Sequence, residues 1–184
     1  HSFPTRRSSD LWVRVDPSVT ISSSTRMGIA TKVVWAGSGL GYGLDIDGGT
    51  PRIFTGQSYN NWGGVSAPSN ISTNTWVHLA GTYDGSTFKI YVDGQLVNSQ
   101  ASATGVSNNN QPFTIGSWPA ENKFFKGDID EVRVWNVTRT ASQILQNKDI
   151  ELNGNEAGLV SYYNFNQGTA NGSNSGNQHF IRRF

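Results

Sequence analysis

The chain is predicted to be all-β, and three features of its 184 residues carry that prediction. The first is Asn74–Val97, NTWVHLAGTYDGSTFKIYVDGQLV, where two β-rich runs, Thr75–Tyr83 and Thr87–Val92, flank Asp84-Gly85-Ser86, and a second turn, Asp93-Gly94, follows at once. Asp-Gly between alternating apolar runs signals a hairpin, because tight hairpin turns need a positive φ that Gly adopts freely. The second is composition: Gly, Asn, Ser, Thr and aromatics abound, charge is low and there is a single Met. Such a makeup suits short strands and polar turns better than helices. The third is that only one segment, Ala141 to about Lys148, carries a helical pattern. The length suffices for one β-sandwich with a real core and not for two ordinary domains.

From the N-terminus, His1–Leu11 (HSFPTRRSSDL) has no period of either kind. It resembles a translated sequencing adapter fused in frame, and is set aside as an artefactual leader. On that reading the domain's first strand and any signal peptide are missing. Trp12–Val15 begins abruptly as a strand, and Asp16–Arg26 is a Ser/Thr-rich loop. Thr31–Ala36 and Tyr42–Asp47 read as strands separated by a Gly37–Gly41 turn, and Asp47-Gly48-Gly49 turns the chain into Pro51–Thr55. Gly56–Asn74 is a long polar loop with a short edge strand, carrying Tyr59, Trp62 and Pro68. Loops of this length in a compact domain are usually functional or mobile.

In the meander that follows, Phe88, Ile90 and Val92 share one face and Lys89, Tyr91 and Asp93 the other, the period of a half-buried strand. Val77 and Leu79 supply the matching buried face, with Trp76 and His78 pointing away. Ser99–Gln111 is a polar loop, Pro112–Gly116 a short strand, and Ser117–Lys123 a loop with Trp118 and Pro119. Phe124–Asn136 is the second strong strand. Strict alternation puts Ile129, Glu131, Arg133 and Trp135 on one face and Asp128, Asp130, Val132 and Val134 on the other. Thr140 and Gln143 form the T-x-x-Q of a capping box, and Ala141, Ile144, Leu145 and Lys148 line one helical stripe. Gly158–Asn166 is the last strand, Gln167–Gln178 is expected to be disordered, and His179–Phe184 fits neither pattern.

Several classes of function are excluded or disfavoured. With no Cys there are no disulfides and no thiolate chemistry. No run approaches the ~18–20 apolar residues of a membrane span. The net charge of +1 arises at the chain ends. Without Arg6, Arg7, Arg182 and Arg183 among its 14 bases, and Asp10 among its 13 acids, ten basic residues face twelve acidic ones. No basic patch with interleaved aromatics marks a nucleic-acid surface.

The chain carries WVRV at Trp12–Val15, YGLDIDGG at Tyr42–Gly49 and TWVHLAGTYDGSTFKIYVDGQLV at Thr75–Val97. FTIGS follows at Phe113–Ser117, FKGDIDEVRVWNVTRTASQI at Phe125–Ile144 and AGLVSYYNFNQG at Ala157–Gly168. This order resembles the laminin-G-like, or concanavalin A-like lectin/glucanase, jelly-roll superfamily, and within it the bacterial LamG-like modules repeated in secreted proteins. The resemblance implies a two-sheet antiparallel jelly-roll sandwich of about a dozen strands with one short helix near residues 140–149. Its domain would span residues 12–168 without its first strand, followed by a disordered or aberrant tail, 169–184.

Three constellations are candidates for function. Glucanase relatives carry catalytic carboxylates as E-x-D-x-E on one strand face, whereas the same positions here are Asp128, Asp130 and Val132. The third carboxylate is missing, which argues against glycoside hydrolysis. Related sandwiches use an Asp at the place of Asp130 to ligate a structural Ca²⁺ together with backbone carbonyls. The plainer alternative is a carboxylate paired with Lys126 or Arg133, or bonded to loop amides. His78 reads as a packed strand residue, since no Ser or Cys is placed to make it a catalytic base. Trp12, Trp35, Trp76 and Trp135 read as core, but Tyr59, Trp62 and Trp118 lie in polar loops beside Asn and Asp. There an aromatic face can stack on a sugar while amides and carboxylates take its hydroxyls. Loop anchoring is the competing role. The expectation is a non-enzymatic, secreted or surface-attached module, monomeric within a longer bacterial chain, binding a glycan or an extracellular protein. A structural spacer without a ligand and a remote glycoside hydrolase are the alternatives.

Overall fold

A computed structural model describes residues 6–34, 38–58, 60–107, 109–166 and 180–181. Along the chain the strands are β1 (Arg7–Val15), β2 (Arg26–Val33), β3 (Ser38–Asp47), β4 (Thr50–Ser58), β5 (Asn61–Ser66), β6 (Trp76–Tyr83), β7 (Thr87–Val92) and β8 (Gln95–Ala101). The two-residue strands β9 (Thr114–Ile115), β10 (Ser117–Trp118) and β11 (Lys123–Phe124) precede β12 (Gly127–Trp135), helix α1 (Ala141–Asn147), β13 (Leu159–Tyr163) and β14 (Phe180–Ile181). One sheet has the order β14-β13-β12-β1-β6-β7-β8 and the other β5-β4-β3-β2-β9, with β10 and β11 paired separately. Every strand pairing is antiparallel, and the two sheets stack as the jelly-roll sandwich that the sequence predicts.

The core lies between the sheets. Leu11, Val13 and Val15 of β1, with Leu79, Phe88, Ile90 and Val132 of its neighbours, meet Ile29, Leu44, Ile46 and Ile53 of the other sheet. Fully burying side chains of this size stabilises by ~1.5–3 kcal/mol each. The meander follows its sequence pattern. Asp93 (φ 50°) and Gly94 (φ 80°) form the two-residue turn between β7 and β8, and two positive φ values are what a type I′ hairpin requires. Thr140 and Gln143 close the capping box in both directions, at 3.2 and 3.0 Å.

Four expectations need correction. The first strand does not start at Trp12. Residues 7–11 of the segment set aside are half of β1, paired with β6 and β12 at the centre of the seven-stranded sheet, and Leu11 is fully buried. Alternation from Leu11 through Val15 extends the strand backward, so Arg7 and Ser9 share the inward side. In β12 strict alternation fails at a bulge. The register to β1 slips between Asp10 and Trp12, and Glu131 takes φ 53°. Ile129 therefore joins Val132 against the core, while Asp130, Arg133 and Trp135 face outward. Of the predicted helical stripe only Ile144 is buried, against Ala80 and Tyr91, and Leu145 is 44% exposed. Trp76, read as core, is 39% exposed. Trp35 and most of the tail after Asn166 lie outside the described residues; Phe180–Ile181 pair with β13.

Candidate functional site

The outer face of the five-stranded sheet follows from alternation. In β3, Leu44 and Ile46 point into the core, so Asp45 and Asp47 point out. Across the Gly48-Gly49 turn, Arg52 pairs with Asp45, Gly43 with Phe54, and Ile53 points inward. Arg26 of β2 pairs with Asp47, and Gly28 with Asp45. Trp62 and Gly64 of β5 face outward beside Phe54. One patch thus carries two carboxylates, two guanidinium groups and two large rings.

The charged groups form a continuous ladder. Arg52 donates from Nε and Nη2 to Asp45 at 3.0 and 2.7 Å, and from Nη1 to Asp47 Oδ2 at 2.5 Å. Arg26 Nε completes it at 2.9 Å from Asp47 Oδ1. Bidentate pairing fixes both position and plane of the guanidinium. Burial pushes the Asp45 carboxyl above its ordinary 3.8, with the Arg52 charge and hydrogen bonds pulling back. Desolvation works to lower the Arg52 pKa, but Asp45 and Asp47 outweigh it and raise it.

The rings form a layer over this ladder. A side chain at Gly43 would meet the Phe54 ring at 3.1 Å, so that glycine lets the ring lie flat on the sheet, and one at Gly28 would collide with the Ser117–Trp118 backbone, so Gly28 lets that segment cross close over β2. Phe54 and Trp118 stack at 5.5 Å and 23°. The Arg52 guanidinium sits 5.1 Å from the Phe54 centroid and 5.6 Å from that of Trp62. Trp118 is 8% exposed, packed with Phe54 and Val33, whereas Trp62 is 46% exposed at the rim. Above them opens a concavity of about 190 Å³, lined further by Glu121 and Lys123.

The structure thus brings together two of the three predicted contact residues, Trp62 and Trp118; Tyr59 lies outside the described residues. Trp62 sits in edge strand β5 rather than in a loop, and Trp118 serves as a packed wall rather than an exposed platform. Asp45, Asp47, Arg52 and Phe54 were missed. The signal was present: L-D-I-D, a turn, then P-R-I-F places all four on one face.

Asp130 lies elsewhere, on the outer face of the seven-stranded sheet. Its Oδ1 accepts the Glu131 backbone N–H at 2.8 Å. It lines an open groove of about 420 Å³ with Trp12, Trp76, Arg133, Lys148 and others. Ca²⁺ takes six to eight oxygen ligands. Among the described residues no three His, Cys, Asp or Glu side chains group as metal ligands, and two cations share this groove. Glu131, Asp149 and Glu151 line the same groove.

The rest of that face is covered by α1 and the segment after it. Arg133, 1% exposed, donates to the carbonyls of Asn147 (2.7 Å) and Ile150 (2.6 Å) and to Glu131 Oε2 (2.6 Å), with Asp10 at 3.5 Å. Tyr162 donates to Glu131, and burial together with that bond pushes its phenol pKa up. Trp135 Nε1 bonds Asp10 Oδ2 at 2.9 Å. His78 is buried edge-on to Trp12, 3.4 Å from Asp10.

Comparison with known proteins is in keeping with this architecture. A family model described as the concanavalin A-like lectin/glucanases superfamily matches residues 5–145. Mouse pappalysin-1 is 34% identical over 95 residues, and human pappalysin-1 30% over 100; the matches cover 49% and 52% of this chain but only 6% of either protein. Among solved structures, a Bacteroides ovatus protein named for carbohydrate binding superposes with TM-score 0.70 at 22% identity, over 89% of this chain and 46% of that one. Domain 4 of AbnA, an extracellular arabinanase of Geobacillus stearothermophilus solved with arabinotriose, gives 0.58 at 24%, over 77% and 66%. The ligand binding domain of botulinum neurotoxin serotype D, solved with N-acetylneuraminic acid, gives 0.56 at 14%, over 77% and 35%.

Proposed function

The chain belongs to the concanavalin A-like lectin/glucanase superfamily, and we propose that it is a non-enzymatic carbohydrate-binding module of a secreted or surface-attached protein. The observation that carries this reading is the exposed Trp62 ring beside the Arg52–Asp45–Asp47 ladder, at the rim of an open concavity. An indole held at a fixed angle offers a flat apolar face to the C–H side of a sugar ring. Arg26, Asp47, Glu121 and Lys123 around it offer donors and acceptors for hydroxyls. Small-molecule sites combine these two elements: an apolar wall and a few fixed polar groups. Fold alone cannot assign the role, since this architecture hosts many functions. The reading is in line with two structural relatives, one named for carbohydrate binding and one solved with arabinotriose.

Hydrolysis finds less support. Asp128 is held by Arg14 at 2.8 Å, Asp130 accepts a backbone amide, and Val132 stands where the third carboxylate of the E-x-D-x-E pattern would be. The test is retention of the full chain on immobilised arabinan, laminarin and xylan, with Trp62→Ala as control. Retention by the parent and loss in the variant supports the module. Equal passage of both through every matrix supports a spacer, and release of reducing ends supports an enzyme.

A further inference from the structure

The concavity also indicates which kind of sugar it takes, an inference that rests on the carbohydrate-binding reading above. We infer that the site holds a single uncharged sugar unit and discriminates against acidic sugars. Three cations, Arg26, Arg52 and Lys123, and three carboxylates, Asp45, Asp47 and Glu121, line it, so its charge sums to zero. Four of these six are tied to one another in the ladder. Arg52 has five N–H donors in a rigid fork, and three point at its two carboxylates.

A sugar carboxylate could take the Arg52 fork only by displacing Asp45 or Asp47, and the charge of Lys123, outside the ladder, is offset by Glu121 in the same lining. Asp45 is buried, and a buried charge deprived of its partner is strongly destabilising. The cost of stripping Asp45 therefore cancels the gain from the new pair. An amino sugar faces the mirror problem at Asp45 and Asp47, which Arg52 and Arg26 already engage. A hydroxyl asks for no such exchange: it donates to a carboxylate lone pair and accepts from a spare N–H without breaking the ladder.

Size points the same way. The concavity, about 190 Å³, is smaller than the ~300–1,000 Å³ of pockets for drug-sized ligands, which leaves room for one ring and not a chain. Trp62 stands at its rim, where the ring of a terminal unit would stack while the remainder of the glycan leaves into solvent. The site thereby favours chain ends and branch tips over long internal stretches.

Titration calorimetry on the full chain tests this with arabinotriose as the neutral probe, and N-acetylneuraminic acid and trigalacturonate as acidic ones. Arabinotriose should bind at least about tenfold tighter than either acid, and arabinohexaose within about threefold of the trimer. Asp47→Asn, which frees Arg26 and gives the pocket a net positive charge, should narrow the neutral-to-acidic ratio by about tenfold. Glu121→Gln, which leaves the ladder whole, should narrow it less and guards against loss of fold in the first variant. Equal or tighter binding of the acids overturns the inference and leaves the glycan reading standing, as does affinity that climbs steadily with chain length. Failure of every saccharide to bind overturns the glycan reading itself. A ratio unmoved in Asp47→Asn overturns the ladder as its cause.

Discussion

The two outer faces of this sandwich carry the same chemistry and put it to different ends. On each, an arginine lies between two carboxylates and against aromatic rings: Arg133 with Glu131, Asp10 and Tyr162, Arg52 with Asp45, Asp47 and Phe54. On the seven-stranded sheet the remaining donors of Arg133 reach carbonyls of Asn147 and Ile150, so the chain itself covers the group. Against Arg52 lie the Phe54 and Trp62 rings instead, and Trp62 stays half in water. An ion-pair cluster sealed by its own backbone becomes structure. The same cluster left open is, on the proposed reading, a surface on which polar groups are already oriented for a ligand.

The largest expected effect comes from breaking the covered cluster. Arg133→Ala strands Glu131 and Asp10 in a buried site and frees two carbonyls, so it should cost about 3–5 kcal/mol, a large part of the ~5–15 kcal/mol that holds a domain. Arg52→Ala also strands one buried carboxylate, Asp45, but it leaves Asp47 reachable by water and frees no carbonyls, so it should cost less than Arg133→Ala. Urea denaturation of the two variants checks this. Equal losses would mean that the covering segment does not distinguish the two faces.

Trp62→Ala sharpens the contrast from the other direction. The rim indole should contribute about 2 kcal/mol to saccharide binding, roughly a thirtyfold weakening on truncation. An exposed residue on an edge strand should shift stability by no more than ~0.5 kcal/mol. A variant that melts early, with binding intact at low temperature, would move Trp62 to the structural side of the comparison.

Next comes the cover itself. Thr140→Ala removes the side chain that accepts the Gln143 N–H at 3.2 Å and should cost about 1 kcal/mol. Hydrogen exchange should then accelerate across α1 and at Ala80 and Tyr91 beneath it, with β3 and β4 unaffected. Acceleration spread evenly over both sheets would show that α1 is not a separable lid.

What the sequence made legible divides along the same lines. The meander, its Asp-Gly turns and the capping box were readable because each depends on residues within a few positions of one another. Trp62 and Trp118 stood out because large aromatics are hard to account for in polar segments. Their environments were not readable. Trp118 sits against Phe54 because Gly28, ninety positions earlier, lets the Ser117–Trp118 backbone approach β2, and nothing local to Trp118 records that. The ladder lay in plain alternation across one turn, but reading it required treating Asp45 and Arg52 as cross-strand partners rather than as two strands in series. The bulge at Glu131 defeated face assignment, since one extra residue inverts every later position. In β1, Arg7–Leu11 were discounted for their composition, yet antiparallel neighbours on both sides hold them in the sheet.

Acid titration should give the smallest effect and separates binding from folding. Burial holds the Asp45 carboxyl above the ordinary 3.8, so as pH falls Asp45 takes up its proton before an exposed acid does. Because its folded pKa is raised, ionised Asp45 costs stability at neutral pH, and that cost fades as pH falls through the raised value. Protonation nonetheless removes the charge that orients Arg52, so saccharide affinity should decline over that interval. Asp84 behaves oppositely. Burial opposes the shift, but bonds from Ser86 and Thr87 hold its carboxyl below 3.8. Its contribution is complete above 3.8 and is lost only as pH falls through that depressed value. Arabinotriose affinity should therefore weaken at a pH where the melting temperature is still on its plateau, with thermal loss setting in below 3.8. If affinity and melting temperature fall together, the open face has no independent titration, and Asp45 is as much a structural group as Asp10.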